Sequence, residues 1–264
     1  MSRKKVIIFN DYCGIGNVAL KMNTFALMAN GIEVIGVPTK LFSSPMNNPA
    51  YVELSINRFD DFVNSIALIN DHYDGVLVGL LGDEQVFNGT LEFIKKYGKG
   101  KMILDPILGD NGAKYSGTKD VHIQFYREII KYSKLVIPNI TEAILLSGGN
   151  LENYKHYDDN VIEKLIDGLV KLGANKILLK GENENGEFVN RYFDGREIHK
   201  ISSKFVLKKF HGTGDLIAGL LTTISVKDEL TKDNIKKAQD MISGIIESAA
   251  IDEEILPDCT DLRL

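Results

Sequence analysis

The sequence contains only two cysteines among its 264 residues, Cys13 and Cys259, and they lie near opposite ends of the chain. Disulfide-stapled scaffolds and zinc knuckles need more cysteines or closer pairs, so both classes are excluded. This usage is typical of a reducing compartment, and we expect the protein in the cytoplasm. We expect no secretory leader, because only four apolar residues, VIIF, follow the basic start MSRKK.

Long apolar stretches and an excess of basic charge are also missing. No stretch approaches the roughly 20 apolar residues of a membrane-spanning helix. The formal net charge is -5, with 44% hydrophobic and 25% charged residues, which is typical of a globular protein and argues against a nucleic-acid partner. No repeat or low-complexity segment appears, and we predict one domain over residues 1–264.

Short apolar runs alternate with helical patterns through residue 181. Runs such as KVIIF, GVLVG, KMIL, KLVI and KILL are continuously apolar, as in strands buried on both faces. Strands that alternate with helices favour a doubly wound, mostly parallel sheet with helices on both faces. We predict loops at residues 11–17 and 40–51, a helix at 53–70, a hairpin around Asp194-Gly195 and two C-terminal helices.

Acidic and glycine residues follow the predicted strands at the points where each strand ends. In an open α/β sheet, ligands bind at the carboxyl ends of the strands, so these residues are expected to share one crevice. Its acidic character suits a divalent cation held between carboxylates and phosphates. The residues are Asp11, Gly14, Gly16, Gly79, Gly82, Asp83, Asp105, Gly109, Asp110, Asn139, Glu142, Lys180 and Gly181.

The stretch Gly212-Thr213-Gly214-Asp215 stands directly before an apolar helix. One interpretation is local: glycine permits the turn and aspartate caps the helix. The other is chemical: amides at a helix N-terminus bind an anion while Asp215 takes a proton from a hydroxyl group. Short glycine motifs have many false positives, so the tetrapeptide alone does not decide between them.

Four features occur in a fixed order: an N-terminal strand with a glycine loop, then LDPILGDNG, then PNITEA, then HGTGD. In this order they resemble the ribokinase superfamily, and most closely its pyridoxal/pyridoxamine kinase branch, over nearly the whole chain. The resemblance implies a doubly wound α/β fold without a large separate lid, and a homodimer. It also implies phosphorylation of the 5′-hydroxymethyl group of a B6 vitamer by ATP with Mg²⁺.

The resemblance also implies a role for each matching residue. Asp215 resembles the catalytic base, and Gly212, Thr213 and Gly214 resemble the amide site for the transferred phosphoryl group. The remaining residues are Asp105, Asn139, Lys180 and Gly181 for the nucleotide, Asp110 and Glu142 for the metal, and Asp11, Gly14, Gly16, Asn17, Ser44 and His211 for the substrate.

For several of these residues, an interpretation as purely structural residues stays open. Glu142 fits a first-turn acid that complements the helix dipole, and Asp105 fits a turn residue before proline. Lys180 fits a surface lysine, His211 a packed or solvated histidine, and Cys13 a small filler.

Two positions depart from the resemblance. Ile137 stands where pyridoxal kinases usually carry a threonine that helps a monovalent ion, and Met46 stands where a hydroxyl group is usual. Two alternative functions therefore stay open. One is a kinase for hydroxymethylpyrimidine or another small molecule, and the other is a vitamin-binding protein without catalysis.

Overall fold

Ten of twelve strands form one sheet in the computed structural model, which describes residues 3–46, 48–153, 158–181, 183–207, 211–248 and 262–264. Cys259 lies outside the described residues. The strands are β1 (Lys5–Cys13), β2 (Glu33–Phe42), β3 (Glu53–Leu54), β4 (Gly75–Val78), β5 (Met102–Leu104), β6 (Gly109–Asp110), β7 (Ala113–Lys114), β8 (Ser133–Val136), β9 (Ile177–Leu179), β10 (Asn183–Glu184), β11 (Glu187–Phe193) and β12 (Ile198–Lys204).

The sheet runs in the order β10-β11-β9-β8-β5-β4-β1-β2-β3, and β12 pairs with β11. Its middle is parallel, from β9 through β8, β5, β4 and β1 to β2. Antiparallel pairs occur only toward the margins of this sheet, at β2–β3, β9–β11, β10–β11 and β11–β12. Strands β6 and β7 form a separate hairpin.

In the part of the chain that the structure describes, eight α-helices connect and cover the strands. They are α1 (Ala19–Ala29), α2 (Phe59–Ile69), α3 (Glu84–Phe93), α4 (Asp120–Ile129), α5 (Ile140–Ser147), α6 (Asp159–Lys171), α7 (Thr213–Lys227) and α8 (Lys232–Ser248). A π-helical turn, Ile94–Gly98, continues α3, and two 3₁₀ turns lie at Ile130–Tyr132 and Leu151–Asn153. Within the described ranges, no helix combines the length and apolar character that crossing a bilayer requires.

Helices cover both faces of the sheet, as the side chains of β1 illustrate. Successive residues of a strand point to opposite faces. Ile7 and Phe9 accordingly pack in one core with α2 to α6, while Val6 and Ile8 pack in the other core with α1, α7 and α8. The prediction of a doubly wound, mostly parallel α/β fold is therefore confirmed.

Three predicted boundaries are wrong, all at the β1–β2–β3 margin. Strand β1 continues through Cys13, because Tyr12 and Cys13 pair with Leu41 and Phe42, and this pairing also extends β2 into the predicted loop. The helix predicted from residue 53 begins only at Phe59, because Glu53 and its neighbour pair with the end of β2 instead. Pairing along the sheet edge thus overrides the local pattern.

Candidate active site

The carboxyl ends of the parallel strands open into a cleft of about 590 Å³. We call this cleft the polar lobe. It brings together eleven of the predicted site residues, and Cys13 and Met46 also line it. The eleven are Asp11, Asp105, Asp110, Asn139, Glu142, Lys180, His211, Gly212, Thr213, Gly214 and Asp215.

A second cavity of about 660 Å³, the apolar lobe, adjoins the first. The two lobes share part of their lining: Asp110, Lys180, Phe188, His211, Thr213 and Gly214. Phe205, Val206, Ile217, Ile242 and Ile246 give the second lobe its apolar walls. Sequence reasoning missed this lobe, because its residue types are those of a core.

Helix α7 begins at the junction between the two lobes. Its N-cap, Gly212, has φ +88°, and a Cβ there would lie 2.6 Å from the carbonyl oxygen of Asn17, so the turn requires glycine. The first-turn N–H groups of a helix have no acceptor within the helix. Those of Thr213, Gly214 and Asp215 therefore give this junction the character of an anion site.

Asp215 stands in the first turn of α7 and lines the polar lobe. Its Oδ2 accepts a 2.8 Å hydrogen bond from the backbone N–H of Ala19. Desolvation raises the pKa of Asp215 to about 7; the Ala19 bond opposes this, and the charges of Asp105 and Asp11 add to it. A carboxyl group with this pKa can accept a proton near neutral pH.

Lys180 and Asp105 form a buried ion pair beside Asp215. The Nζ–Oδ1 distance is 2.7 Å, and only 17% and 6% of the two side chains are exposed. Desolvation would lower the pKa of Lys180, but the carboxylates of Asp105 and Glu142 raise it above its ordinary value. Burial raises the pKa of Asp105, against the opposing effect of Lys180. Lys180 therefore supplies an ammonium group where the two lobes meet.

Glu142 and Asn139 cap the start of α5. The Oε2 of Glu142 accepts from the backbone N–H of Asn139 at 2.8 Å, and Asn139 Oδ1 accepts from the N–H of Glu142 at 2.9 Å. The other oxygen, Oε1, accepts from Leu108 at 3.3 Å. Burial raises the pKa of Glu142 to about 8. The helix-start interpretation of Glu142 is thus observed, and its metal role stays a prediction.

Asp110 lies at the turn of the β6–β7 hairpin and borders both lobes. It is exposed, and its Oδ2 accepts from Asn111 Nδ2 at 2.8 Å. Mg²⁺ is usually held by one or two carboxylates together with the phosphates of a substrate. Asp105 is paired with Lys180, and both oxygens of Glu142 accept backbone N–H groups. Among the described residues, the carboxylates of Asp105, Asp110 and Glu142 do not converge on one point, so the exposed Asp110 is the residue that fits a phosphate-bound Mg²⁺.

Asp11 and Cys13 lie side by side in the floor of the polar lobe. Asp11 is 8% exposed, and burial raises its pKa to about 6. The Sγ of Cys13 donates to Asp11 Oδ2 at 3.4 Å. Burial, with the nearby charge of Asp11, raises the pKa of Cys13 to about 12, so the thiol is protonated at neutral pH. This agrees with the interpretation of Cys13 as a filler.

Five predicted site residues do not line the polar lobe: Gly14, Gly16, Asn17, Ser44 and Gly181. Gly181 has a packing role instead. A Cβ there would lie 1.6 Å from the carbonyl oxygen of Val189, and its N–H donates to Asn190 Oδ1 at 2.9 Å. Contact of these five residues with a ligand stays a prediction.

Two buried asparagines behind the cleft were missed from the sequence. Asn10 Oδ1 accepts from the N–H of Leu80 at 2.8 Å and of Asp11 at 3.0 Å, while its Nδ2 donates to Asn23 Oδ1 at 2.8 Å. Asn23 Nδ2 donates to the backbone carbonyl of Asp215 at 2.7 Å. The sequence did contain a signal for both residues. Asn10 lies in an apolar strand and Asn23 in a helix, and a buried amide at either position needs a hydrogen-bond partner.

The chain is similar to known kinases. The family model described as phosphomethylpyrimidine kinase matches residues 60–257. A hydroxymethylpyrimidine/phosphomethylpyrimidine kinase of Bacillus subtilis is 28% identical over 67% of the chain and 63% of its own length. A Schizosaccharomyces pombe protein, provisionally named a pyridoxal kinase, is 25% identical over 94% of the chain and 86% of its own length. The chain spans about a third of two further curated relatives.

The fold of the chain is also known from solved structures. The ADP complex of Bacillus subtilis pyridoxal kinase superimposes with a TM-score of 0.82 at 19% identity, covering 96% of this chain and 95% of that one. The expected relation to the pyridoxal kinase branch of the ribokinase superfamily is confirmed. The family model matches three quarters of the chain, and the chain therefore belongs to the phosphomethylpyrimidine kinase family.

Proposed function

We propose that the protein transfers the γ-phosphoryl group of ATP to the 5′-hydroxymethyl group of a B6 vitamer: pyridoxal, pyridoxine or pyridoxamine. One observation carries the proposal. A carboxyl group with a pKa of about 7, Asp215, lies in the first turn of a helix whose leading amides line two adjoining lobes. This arrangement suits proton removal on one side of a phosphoryl group and nucleotide binding on the other.

The reaction needs positioning and charge neutralisation more than covalent help. The hydroxymethyl oxygen attacks the γ-phosphorus, the bond from that phosphorus to the β–γ bridging oxygen breaks, and ADP leaves. Asp215 accepts the hydroxyl proton. The amides of Thr213 and Gly214 and the ammonium group of Lys180 face the negative charge of the transferred group. Mg²⁺, held by Asp110 and by the phosphates themselves, would neutralise the phosphate charge.

The two lobes have the chemistry of the two substrates. The apolar lobe suits the base of a nucleotide, and the first-turn amides and Lys180 lie at its phosphate end. The polar lobe combines apolar walls, among them Phe42, Leu80 and Ile107, with the buried carboxyl group of Asp11. A flat ring with polar substituents fits such walls. A relative provisionally named a pyridoxal kinase matches along most of the chain, which favours a B6 vitamer.

A second candidate substrate is hydroxymethylpyrimidine. The description of the matched family and the Bacillus subtilis relative both favour it. It also presents a hydroxymethyl group on a flat nitrogen ring, so the same residues serve either substrate.

The test is ADP release from Mg-ATP against a panel of pyridoxal, pyridoxine, pyridoxamine, hydroxymethylpyrimidine and ribose. We expect turnover with at least one B6 vitamer. Turnover with hydroxymethylpyrimidine alone would show that the proposed reaction is right and that the proposed substrate, a B6 vitamer, is wrong. If no compound of the panel causes ADP release while ATP and a ring ligand still bind, the alternative of a vitamin-binding protein without catalysis is favoured.

A further inference from the structure

Helix α1 holds Asp215 at two points. The N–H of Ala19 donates to its carboxylate, and the amide of Asn23, one turn later, donates to its backbone carbonyl. Asn23 is 1% exposed and is itself fixed by Asn10, which is 2% exposed and anchored to the N–H of Leu80. A continuous run of hydrogen bonds therefore leads from the end of β4 through β1 and α1 to the first turn of α7.

The bond from Asn23 is not needed to satisfy the carbonyl of Asp215. In an α-helix that carbonyl already accepts from the N–H four residues later, which here belongs to Gly219. The extra donor fixes the direction of the first turn of α7 relative to α1. Ala19 has φ +53°, an unfavourable value for a residue with a Cβ, so its N–H is held toward Asp215 against a local preference.

Resting on the proposed function, we propose that Asn23, held in place by Asn10, is a positioning residue that fixes the Asp215 carboxylate for proton transfer. Asn23 touches neither lobe and does no chemistry. Its effect passes through the backbone of Asp215 and through the contact with Ala19.

The proposal predicts a direction for the pKa of Asp215. Among the residues that the structure describes, the charged and titratable groups around Asp215 are Asp11 and Cys13 on β1, Asp105 after β5 and Lys180 after β9. None of them depends directly on Asn23. The hydrogen bond from Ala19 lowers the pKa of Asp215 and does depend on the placement of α7 against α1. Loss of the Asn23 amide should weaken that bond and raise the pKa.

The experiment compares Asn23→Ala with Asn30→Ala. Asn30 is a matched control, because it is another buried asparagine on the α1 segment whose Nδ2 donates to two backbone carbonyls, those of Ala26 and Leu262, away from the cleft. For Asn23→Ala we expect kcat to fall about 10- to 100-fold, as for small misplacements of a catalytic group. The KM for ATP should stay unchanged, and the acidic limb of the pH profile should move to higher pH. Asn30→Ala should lose stability only.

Because Asn23→Ala leaves a cavity that can prevent folding, a second variant keeps the side-chain volume. Asn23→Leu has a similar volume and no donor for the Asp215 carbonyl, and it should lower kcat as Asn23→Ala does. Wild-type kcat and pH profile in Asn23→Ala would overturn the proposal, as would the same changes in Asn30→Ala.

A second readout separates this inference from the proposed function. Carboxyl ¹³C NMR, with the Asp215 signal assigned from Asp215→Asn, gives the pKa of Asp215 without turnover. If the wild type turns over nothing, the proposed function fails, while a raised Asp215 pKa in Asn23→Ala still supports the positioning contact. An unchanged pKa overturns the contact itself.

Discussion

At the scale of single residues, burial decides the chemistry of the polar lobe. Desolvation is the largest influence on the pKa of Asp11, Asp215 and Glu142, and it raises all three. Lys180 opposes this rise at Asp215 and Glu142 and forms the ion pair with Asp105. One buried cation among several carboxyl groups thus leaves the site able to take up a proton near neutral pH.

Replacing the base should separate chemistry from binding. In Asp215→Asn the side chain keeps its size but loses its ability to accept a proton from the hydroxyl group. We expect turnover to fall at least about 100-fold, in the range of lost general-base catalysis, with the Kd for ATP nearly unchanged by calorimetry. Wild-type turnover in this variant would remove Asp215 from the role of base.

The pH dependence of catalysis follows from the raised pKa of Asp215. The base must be ionised, and its pKa is about 7 instead of the ordinary 3.8. The rate constant kcat/KM should therefore rise about tenfold per pH unit below pH 7 and level off above it. A profile already flat from pH 5 upward would mean that Asp215 is ionised there and that burial does not govern it.

Glu142→Gln tests whether the capping carboxylate also serves the metal. The substitution keeps one oxygen acceptor for the start of α5. It removes a carboxyl group whose pKa burial raises to about 8, and which would have to ionise to bind Mg²⁺. If Glu142 helps to hold Mg²⁺, the Mg²⁺ concentration for half-maximal rate should rise several-fold. An unchanged Mg²⁺ titration together with lowered thermal stability would leave Glu142 as a helix cap alone.

Residue type explains which site residues the sequence revealed. Asp105, Lys180 and Asp215 stand out in the sequence because each directly follows an apolar strand or a glycine turn, although each also has a structural interpretation. Asn10 and Asn23 sit within apolar runs, where their amides look like tolerated polar residues. Phe205 and the other walls of the apolar lobe have core-type side chains. Only the fold shows that these side chains border a cavity.

At the scale of elements, the packing of α1 against α7 positions Asp215 in the polar lobe. A Cβ on Gly219 would lie 2.7 Å from the Cβ of Ala26 and 3.3 Å from the carbonyl oxygen of Asn23. The two helices can approach this closely only because that side chain is absent. Their approach brings Ala19 and Asn23 within hydrogen-bond reach of Asp215.

Two glycine-to-alanine substitutions should have opposite effects on stability. Gly219→Ala forces α1 and α7 apart and should lower the free energy of unfolding by about 1–3 kcal/mol, as overpacking does. Gly244→Ala on the exposed side of α8, where a Cβ meets nothing within 4 Å, should raise it by about 0.5–1 kcal/mol. Urea denaturation measures both. Equal effects would show that the helix contact does not depend on the missing side chain.

The elements themselves were largely predictable, and their errors have one cause. Continuous apolar runs identified β4, β5, β8 and β9, because strands in a buried parallel sheet have no polar face. The β3 edge was mistaken for a helix start, since its two residues form a strand only by pairing with Leu41 and Phe42. Sheet pairing between distant segments leaves no local pattern in the sequence.

At the scale of the whole molecule, the two lobes share one part of their lining and are otherwise formed by different elements. The apolar lobe lies against β12, α7 and α8, whereas the polar lobe lies at the ends of β1, β2 and β5. Two ligands can therefore occupy them together, with their reacting ends at Thr213 and Gly214.

Simultaneous occupancy predicts additive thermal stabilisation. In Asp215→Asn, which avoids turnover, ADP with Mg²⁺ at about 100 times its Kd should add about 2.7 kcal/mol and raise the Tm by several degrees. The vitamer or pyrimidine that turns over in the wild type should raise it further. If the ring ligand cancels the shift caused by ADP, the two compete for one site and the two-lobe assignment is wrong.

The order of the helices along the chain has a consequence for synthesis. Val6, Ile8, Leu77 and the rest of their core are covered by α1 alone until α7 and α8 are made, because residues 213–248 complete that face of the sheet. A ribosome-bound chain therefore presents part of this apolar surface to chaperones until these two helices are made. Asp215 is made with the same layer, so the nascent protein acquires the carboxyl group that we propose as proton acceptor only as it covers its sheet.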